Sequence, residues 1–484
     1  MWRKALFCIA LVGVAAGCSR SPQAVLDDAT AAMGAASLKS IQYSGSGAFY
    51  SLGQSVNPND PWPRASLTSY SNWIDYDAGA SREELVRDGG FRPHLTQYVS
   101  GESAWITIAN DPAPLPTPAA VPERQLQILL TPHGFLKAAR QANLEMIQLP
   151  RRRPRSAGSS SVSDIVTVLQ FQALGKYLVR GTINDQNLVE SVEGRFPNPV
   201  LGDMLIKNTY SEYKDFGGMQ FPTRIVQQQG DYPTLELTVS NAQPNATADI
   251  SVPEAARQAP PPPRVESQRL SDGVWLVAGG SHHSLAVEFM DFVTVVEAPL
   301  ADGRSQAVIG EVKRLVPNKP IRYVVPTHHH FDHSGGLRGY VAEGATVVTH
   351  ELNRALFEKS FQAPHTLEPD SLTRTPAEAK FETFADKHEI TDGRRTMELY
   401  AAQSPHSASG VLVYLPREGI LTEADLYNPG GPPGAEPPPG APNPGAANLL
   451  ENIQRLKLNV RQIAPIHGRV VPLAELRRAA GSGA

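Results

Sequence analysis

Thr327-His328-His329-His330-Phe331-Asp332-His333-Ser334-Gly335-Gly336 is the stretch that decides how this chain folds. It follows the apolar run Ile321 to Val325, whose length and β-branched content read as a buried strand. In an extended segment, residues two apart point the same way. His328 and His330 can therefore grip one ion while His329 turns elsewhere. Asp332 and His333 lie where the chain bends toward a helix beginning near Gly335, and they can face a neighbouring ion. Imidazole and carboxylate suit zinc, and imidazole also suits iron.

Working outward, Val274 to Ala278, Ser284 to Phe289 and Val293 to Val296 read as strands, with Met290 and Asp291 as a tight turn. Gln306 to Leu315 has helical periodicity. Apolar strands alternating with helices imply an α/β domain over residues 267–480. Upstream, the prolines between Pro253 and Pro263 favour an extended spacer, and residues 251–266 are read as the linker. Residues 37–250 have period-two alternation, clearest at Leu235, Leu237 and Val239, and imply a mainly antiparallel β domain carrying a helix over about Pro122 to Leu144. This domain faintly resembles the half-barrel of lipoprotein-sorting proteins.

The spacing of His328, His330, Asp332 and His333 resembles the metal-binding run of the metallo-β-lactamase superfamily, and later motifs follow in that family's order. His406 in Ser404-Pro405-His406-Ser407 resembles the third ligand of the first metal. Asp425, after Ile420 and Leu421, resembles the bridging carboxylate. His467, closing Ile463-Ala464-Pro465-Ile466-His467-Gly468, resembles the last ligand of the second metal. The resemblance implies an αββα sandwich, so the whole chain belongs to a mixed α+β and α/β class. It also implies two zinc ions, with iron as the alternative: His328, His330 and His406 on the first, Asp332, His333 and His467 on the second, Asp425 shared. One departure is Glu297, where many relatives have an aspartate that orients the metal loop. It either does that job with a longer side chain or is an exposed strand-end acid. His350, His282 and His283 are further candidates around the site without assigned roles.

Such a site implies hydrolysis of a small molecule, because a pair of divalent ions lowers the pKa of a shared water to about 7. Asp332 would orient that water and carry a proton to the leaving group. Asp425 points toward ester, lactone or similar substrates, since β-lactamases of the superfamily usually have cysteine or serine there. Tyr427 either hydrogen-bonds a substrate carbonyl, as a tyrosine does in lactonase-type sites, or is a packed surface tyrosine, and the Pro/Gly-rich segment 428–445 either borders the entrance as a lid or is a disordered insertion. A β-lactamase, an iron-dependent oxidoreductase on the same scaffold and a non-enzymatic envelope binding protein are the alternatives.

The start of the chain speaks to address. Arg3 and Lys4, the apolar stretch from Ala5 to Ala16 and the small residues before Cys18 read as a secretion signal over 1–17. Ala15-Ala16-Gly17-Cys18 resembles a bacterial lipobox, which makes Cys18 the candidate lipidation site. Residues 18–36 would then form a tether and a short helix from Pro22 to Ala36. The expected location is the cell envelope, facing the periplasm and held at the outer membrane. Cys8 and Cys18 are the two cysteines of the 484 residues, so a chain matured at Cys18 has no internal disulfide and any metal site uses nitrogen and oxygen. A net charge of −4 gives no basic field for nucleic acid. Arg151, Arg152, Arg153 and Arg155 form the one basic run, either a solvated loop or a contact for anionic lipid.

Overall fold

The computed structural model describes residues 20–89, 93–109, 111–150, 165–257, 264–431 and 442–481. The signal region, Cys18 and the Arg151 to Arg155 run lie outside the described residues. No helix among the described residues is long and apolar enough to cross a membrane.

Residues 40–244 form one thirteen-stranded sheet in which every described pairing is antiparallel. Its strands make two meanders, closed by pairing the first strand, Ser40–Tyr50, with the last, Tyr232–Pro244. Helix Pro22–Ala32 lies against the sheet through Val25, Leu26 and Ala29. It ends earlier than Ala36 because Gly34 takes a left-handed φ of +64° and the Ala35 amide bonds back to the Thr30 carbonyl. The single helix expected over Pro122 to Leu144 is two, Val121–Leu129 and Pro132–Ala139. Pro132 starts the second, and the Thr131 hydroxyl caps it by accepting from the Gly134 amide at 3.1 Å. A cavity of about 310 Å³ lies between the sheet and the first of these helices, lined by Tyr43, Tyr70, Glu83 and Arg124 among others, with no histidine in its lining. Within the expected spacer, Glu254–Arg257 is one helical turn packed on the strands Ser103–Ile108 and Asp111–Pro116; residues 258–263 lie outside the described set.

From Glu266 on, the chain builds two sheets of seven and six strands. The first begins with antiparallel neighbours and becomes parallel from Val293–Val296 through Ile321–Val325 and Thr346–His350 to Lys380–Phe384. Parallel strands are covered on both faces, which explains why Val293 to Val296 is an uninterrupted β-branched run. Val274, Leu285, Val287 and Val325 from one sheet meet Met397, Leu399, Val411 and Val413 from the other. Each such side chain contributes roughly 1.5–3 kcal/mol of burial. Helices Asp302–Leu315, Leu337–Ala342 and Arg354–Gln362 cover one outer face, and Pro444–Arg455 and Leu473–Ala479 cover the other. This is the αββα sandwich, and its strand ends point the metal-type residues to one edge.

Candidate metal centre

His328, His330, His406 and Asp425 bring one ligand atom each into a single group, all within 4.8 Å of one another; His282, His333 and His467 do the same beside them. Strand Ile321–Val325 delivers the first histidines, and the short turn Phe331–Ser334 presents Asp332 and His333. Asp425 follows strand Ile420–Thr422 on a left-handed turn, φ +64°. That turn is held by the buried Glu423 carboxylate, which accepts from the Leu426 and Tyr427 amides and is pushed up to about 8 by burial.

The Asp425 carboxylate is shared between the groups. Oδ2 lies 3.4 Å from His328 Nε2, 3.2 Å from His406 Nε2 and 2.9 Å from His333 Nε2, and Oδ1 lies 3.2 Å from His467 Nε2. His333 and His467 bring their Nε2 atoms within 3.4 Å. Atoms held about 2.0–2.1 Å from one tetrahedral ion sit roughly 3.3 Å apart, so these separations match a metal's coordination edge. The chemistry matches too. His328 Nε2, His330 Nδ1 and His406 Nε2 are buried and make no well-formed hydrogen bond, the first and last facing the Asp425 carboxylate alone, which is costly unless a metal ion accepts their lone pairs. Burial, then the neighbouring His333, keeps the His328 imidazole well below its ordinary range; burial and His406 bring His330 down to about 4. Neutral imidazole is the form that ligates.

The second group differs. Burial lowers His333, but Glu297 and Asp425 outweigh it and raise the imidazole well above its usual value. His467 is raised by Asp425 in the same way against burial. Burial opposes ionisation of Asp425, yet His333, His406 and His467 hold it far below the carboxylate range. These carboxylates draw positive charge into the site, a demand that a metal ion meets. The residues present therefore fit the metals that the family pattern implies.

The surrounding hydrogen bonds fix which nitrogen faces inward. His467 Nδ1 donates to the Ser281 carbonyl at 2.7 Å, leaving Nε2 for the site. His333 Nδ1 stands 3.3 Å from Glu297 Oε1. Glu297 is fully buried, and its other oxygen accepts from the Thr327 amide at 3.3 Å. Of the two readings of Glu297, the structure gives the supporting one. His329 points away, as alternation requires, and joins Ser409 Oγ at 2.9 Å. His350 serves its own turn by accepting from the Leu352 amide, and His283 joins the Gly468 carbonyl.

Two expectations change. Tyr427 does not face the site: it is buried in the outer-face core and its hydroxyl donates to Glu475 at 3.4 Å, so it packs instead of meeting substrate. Asp332 is on the rim of the second group, not at its centre. Its Oδ2 lies 3.5 Å from His333 Nε2 and 3.4 Å from His282 Nε2, while Oδ1 accepts from Gln54 Nε2 at 2.8 Å. Burial raises its pKa, but His282, His333 and Gln54 lower it more, and it is ionised. His282 is thus a member of the site with no assigned role in the sequence. Arg304, which donates to the His282 carbonyl, braces it. Gln54 and Ser55 were not legible at all, since they arrive from the other domain. Of the segment 428–445, residues 432–441 lie outside the described set.

Residues 278–461 match the family described as the metallo-beta-lactamase superfamily. A curated relative, the 2,4-dinitroanisole O-demethylase subunit alpha of Nocardioides sp., is 25% identical over 166 residues. That alignment takes 34% of this chain and 46% of the relative, so the chain spans about half of the curated relative it matches. Similar solved structures include a metallo-beta-lactamase from Pontibacter korlensis, 20% identical, covering 45% of this chain and 98% of that one with a TM-score of 0.35. Another is a metallo-beta-lactamase from Pseudomonas aeruginosa in its mono-zinc form, 22% identical, covering 46% and 96% with a TM-score of 0.34.

Proposed function

We propose that this chain, whose residues 278–461 match the metallo-β-lactamase superfamily, is a dinuclear zinc hydrolase acting on an ester, lactone or similar small molecule in the bacterial cell envelope. One observation carries the reading: three buried imidazole nitrogens without a well-formed hydrogen bond converge with a carboxylate that also faces a second histidine group. His328, His330 and His406 would hold one ion, and His333, His467 and Asp332 the other, with Asp425 between them. Bound there, divalent ions supply a Lewis acid and an activated water at neutral pH. Asp332, ionised and half-exposed on the rim, orients the attacking water and passes its proton to the leaving group. Asp425 in the bridging place supports ester or lactone chemistry over β-lactams.

The test is a hydrolysis panel on zinc-loaded protein: lactones, activated esters, thioesters, phosphodiesters and a cephalosporin. The curated relative's name adds a methyl aryl ether. Ester or lactone turnover that disappears on chelation and returns with zinc is the expected result. Turnover of the cephalosporin alone would establish the β-lactamase alternative. Iron in the purified protein with oxygen consumption would establish the oxidoreductase.

A further inference from the structure

We propose that the loop between the first two strands of the N-terminal sheet, residues 51–63, is a working part of the metal centre, with Gln54 the positioning residue of Asp332; this rests on the metal-centre reading above. Four consecutive residues of the loop make the contact. The Gly53 carbonyl accepts from the Phe331 amide at 3.4 Å, inside the metal-binding run itself. Gln54 Nε2 donates to Asp332 Oδ1 at 2.8 Å. The Ser55 carbonyl accepts from His330 Nε2 at 2.9 Å. The Val56 carbonyl accepts from the Ala408 amide at 2.9 Å, two residues beyond His406.

Each bond does something specific to a ligand. Donation from His330 Nε2 to Ser55 puts the lone pair on Nδ1, the buried atom left without a partner and aimed at the group. Gln54 takes Asp332 Oδ1, which leaves Oδ2 facing the His333 and His282 nitrogens. A carboxylate anchored by one oxygen presents the other in one orientation. Asp332 is the ligand for which such an anchor matters most, since its side chain is 38% exposed and is not held by packing alone.

The approach is close by construction. Gly53 has φ +70°, and a Cβ there would lie 2.3 Å from the Phe331 ring. A second contact joins the N-terminal sheet to the same C-terminal domain at Asp203. The Asp203 carboxylate accepts from the amides of Thr366 and Leu367 and from the Thr366 hydroxyl. Its own amide donates to the Pro364 carbonyl at 2.7 Å. The N-terminal sheet is therefore the platform that delivers Gln54, and not only a spacer.

The experiment is a cobalt(II) titration of the full chain against a competing chelator, followed by visible absorption, for the wild type, Gln54→Ala and Gln54→Glu. The wild type is expected to bind two cobalt ions. Gln54→Ala should weaken one of them about 10–100-fold and alter its ligand-field bands, leaving the other within about 2-fold, the size expected when a support of a ligand is lost. Gln54→Glu keeps the length but cannot donate, and should do at least as much. Far-UV circular dichroism of the metal-free proteins should be unchanged. If the wild type binds two ions and both variants keep its affinities and spectrum, Gln54 has no such role. A wild type that takes up no cobalt would instead overturn the metal-centre reading.

Discussion

Glu297 shows how one side chain can organise a site it does not enter. Its backbone is left-handed, φ +80°, a conformation that costs about 1–3 kcal/mol for a residue other than glycine. The turn brings a side chain one carbon longer than aspartate to His333 Nδ1 and the Thr327 amide. The imidazole is thereby held with Nε2 toward Asp425. Glu297→Gln preserves the volume and removes the charge. It should weaken binding of the ion on His333 about 10-fold, read by chelator competition; unchanged affinity would show that the loop is oriented by backbone alone.

Among the elements, those buried on both faces announced themselves best. Val293 to Val296 and Ile321 to Val325 were legible because a strand inside a sandwich has no polar face to dilute the pattern. His328 to His333 was legible because alternation followed by a turn is a local property. Gln54 and His282 were not, because their roles depend on contacts across 278 and 50 residues that no local pattern encodes. The segment Pro122 to Leu144 forms two helices and not one because Thr131-Pro132 is a start signal inside a longer apolar period.

The second of those helices, Pro132–Ala139, carries a pH dependence of its own. His133 is fully buried, stacked near Phe221 and joined by Nε2 to the Met33 carbonyl. Burial lowers its imidazole from the ordinary 6.5 to about 4. The unfolded chain thus takes up a proton on acidification before the folded domain does. Its stabilising share is full above about pH 6.5 and is lost as pH falls toward about 4. Between about pH 7 and about pH 5 the loss should be about 2 kcal/mol. Urea unfolding followed by N-terminal-domain tryptophan fluorescence checks it. His133→Gln should flatten the dependence, and a slope unaltered by that substitution would assign the titration to another group.

At the scale of the whole molecule, the proposed lipid anchor and the metal centre would meet at the N-terminal domain. Only Ser19, Arg20 and Ser21 separate Cys18 from the helix that begins at Pro22. A lipid on Cys18 would hold this sheet, and with it the loop that reaches Asp332, at the membrane surface. Cys18→Ser should move the protein from the membrane pellet to the soluble periplasmic fraction. Retention in the pellet would exclude that anchor.

The claim on which the rest depends is that Asp425 joins two ion sites. Metal analysis of the full chain and of Asp425→Asn, each saturated with zinc and desalted, tests it most directly. About two zinc ions per wild-type chain, with both reduced in the variant, is the expected result. A wild type holding two ions and an Asp425→Asn variant holding the same two at full hydrolytic activity would contradict it.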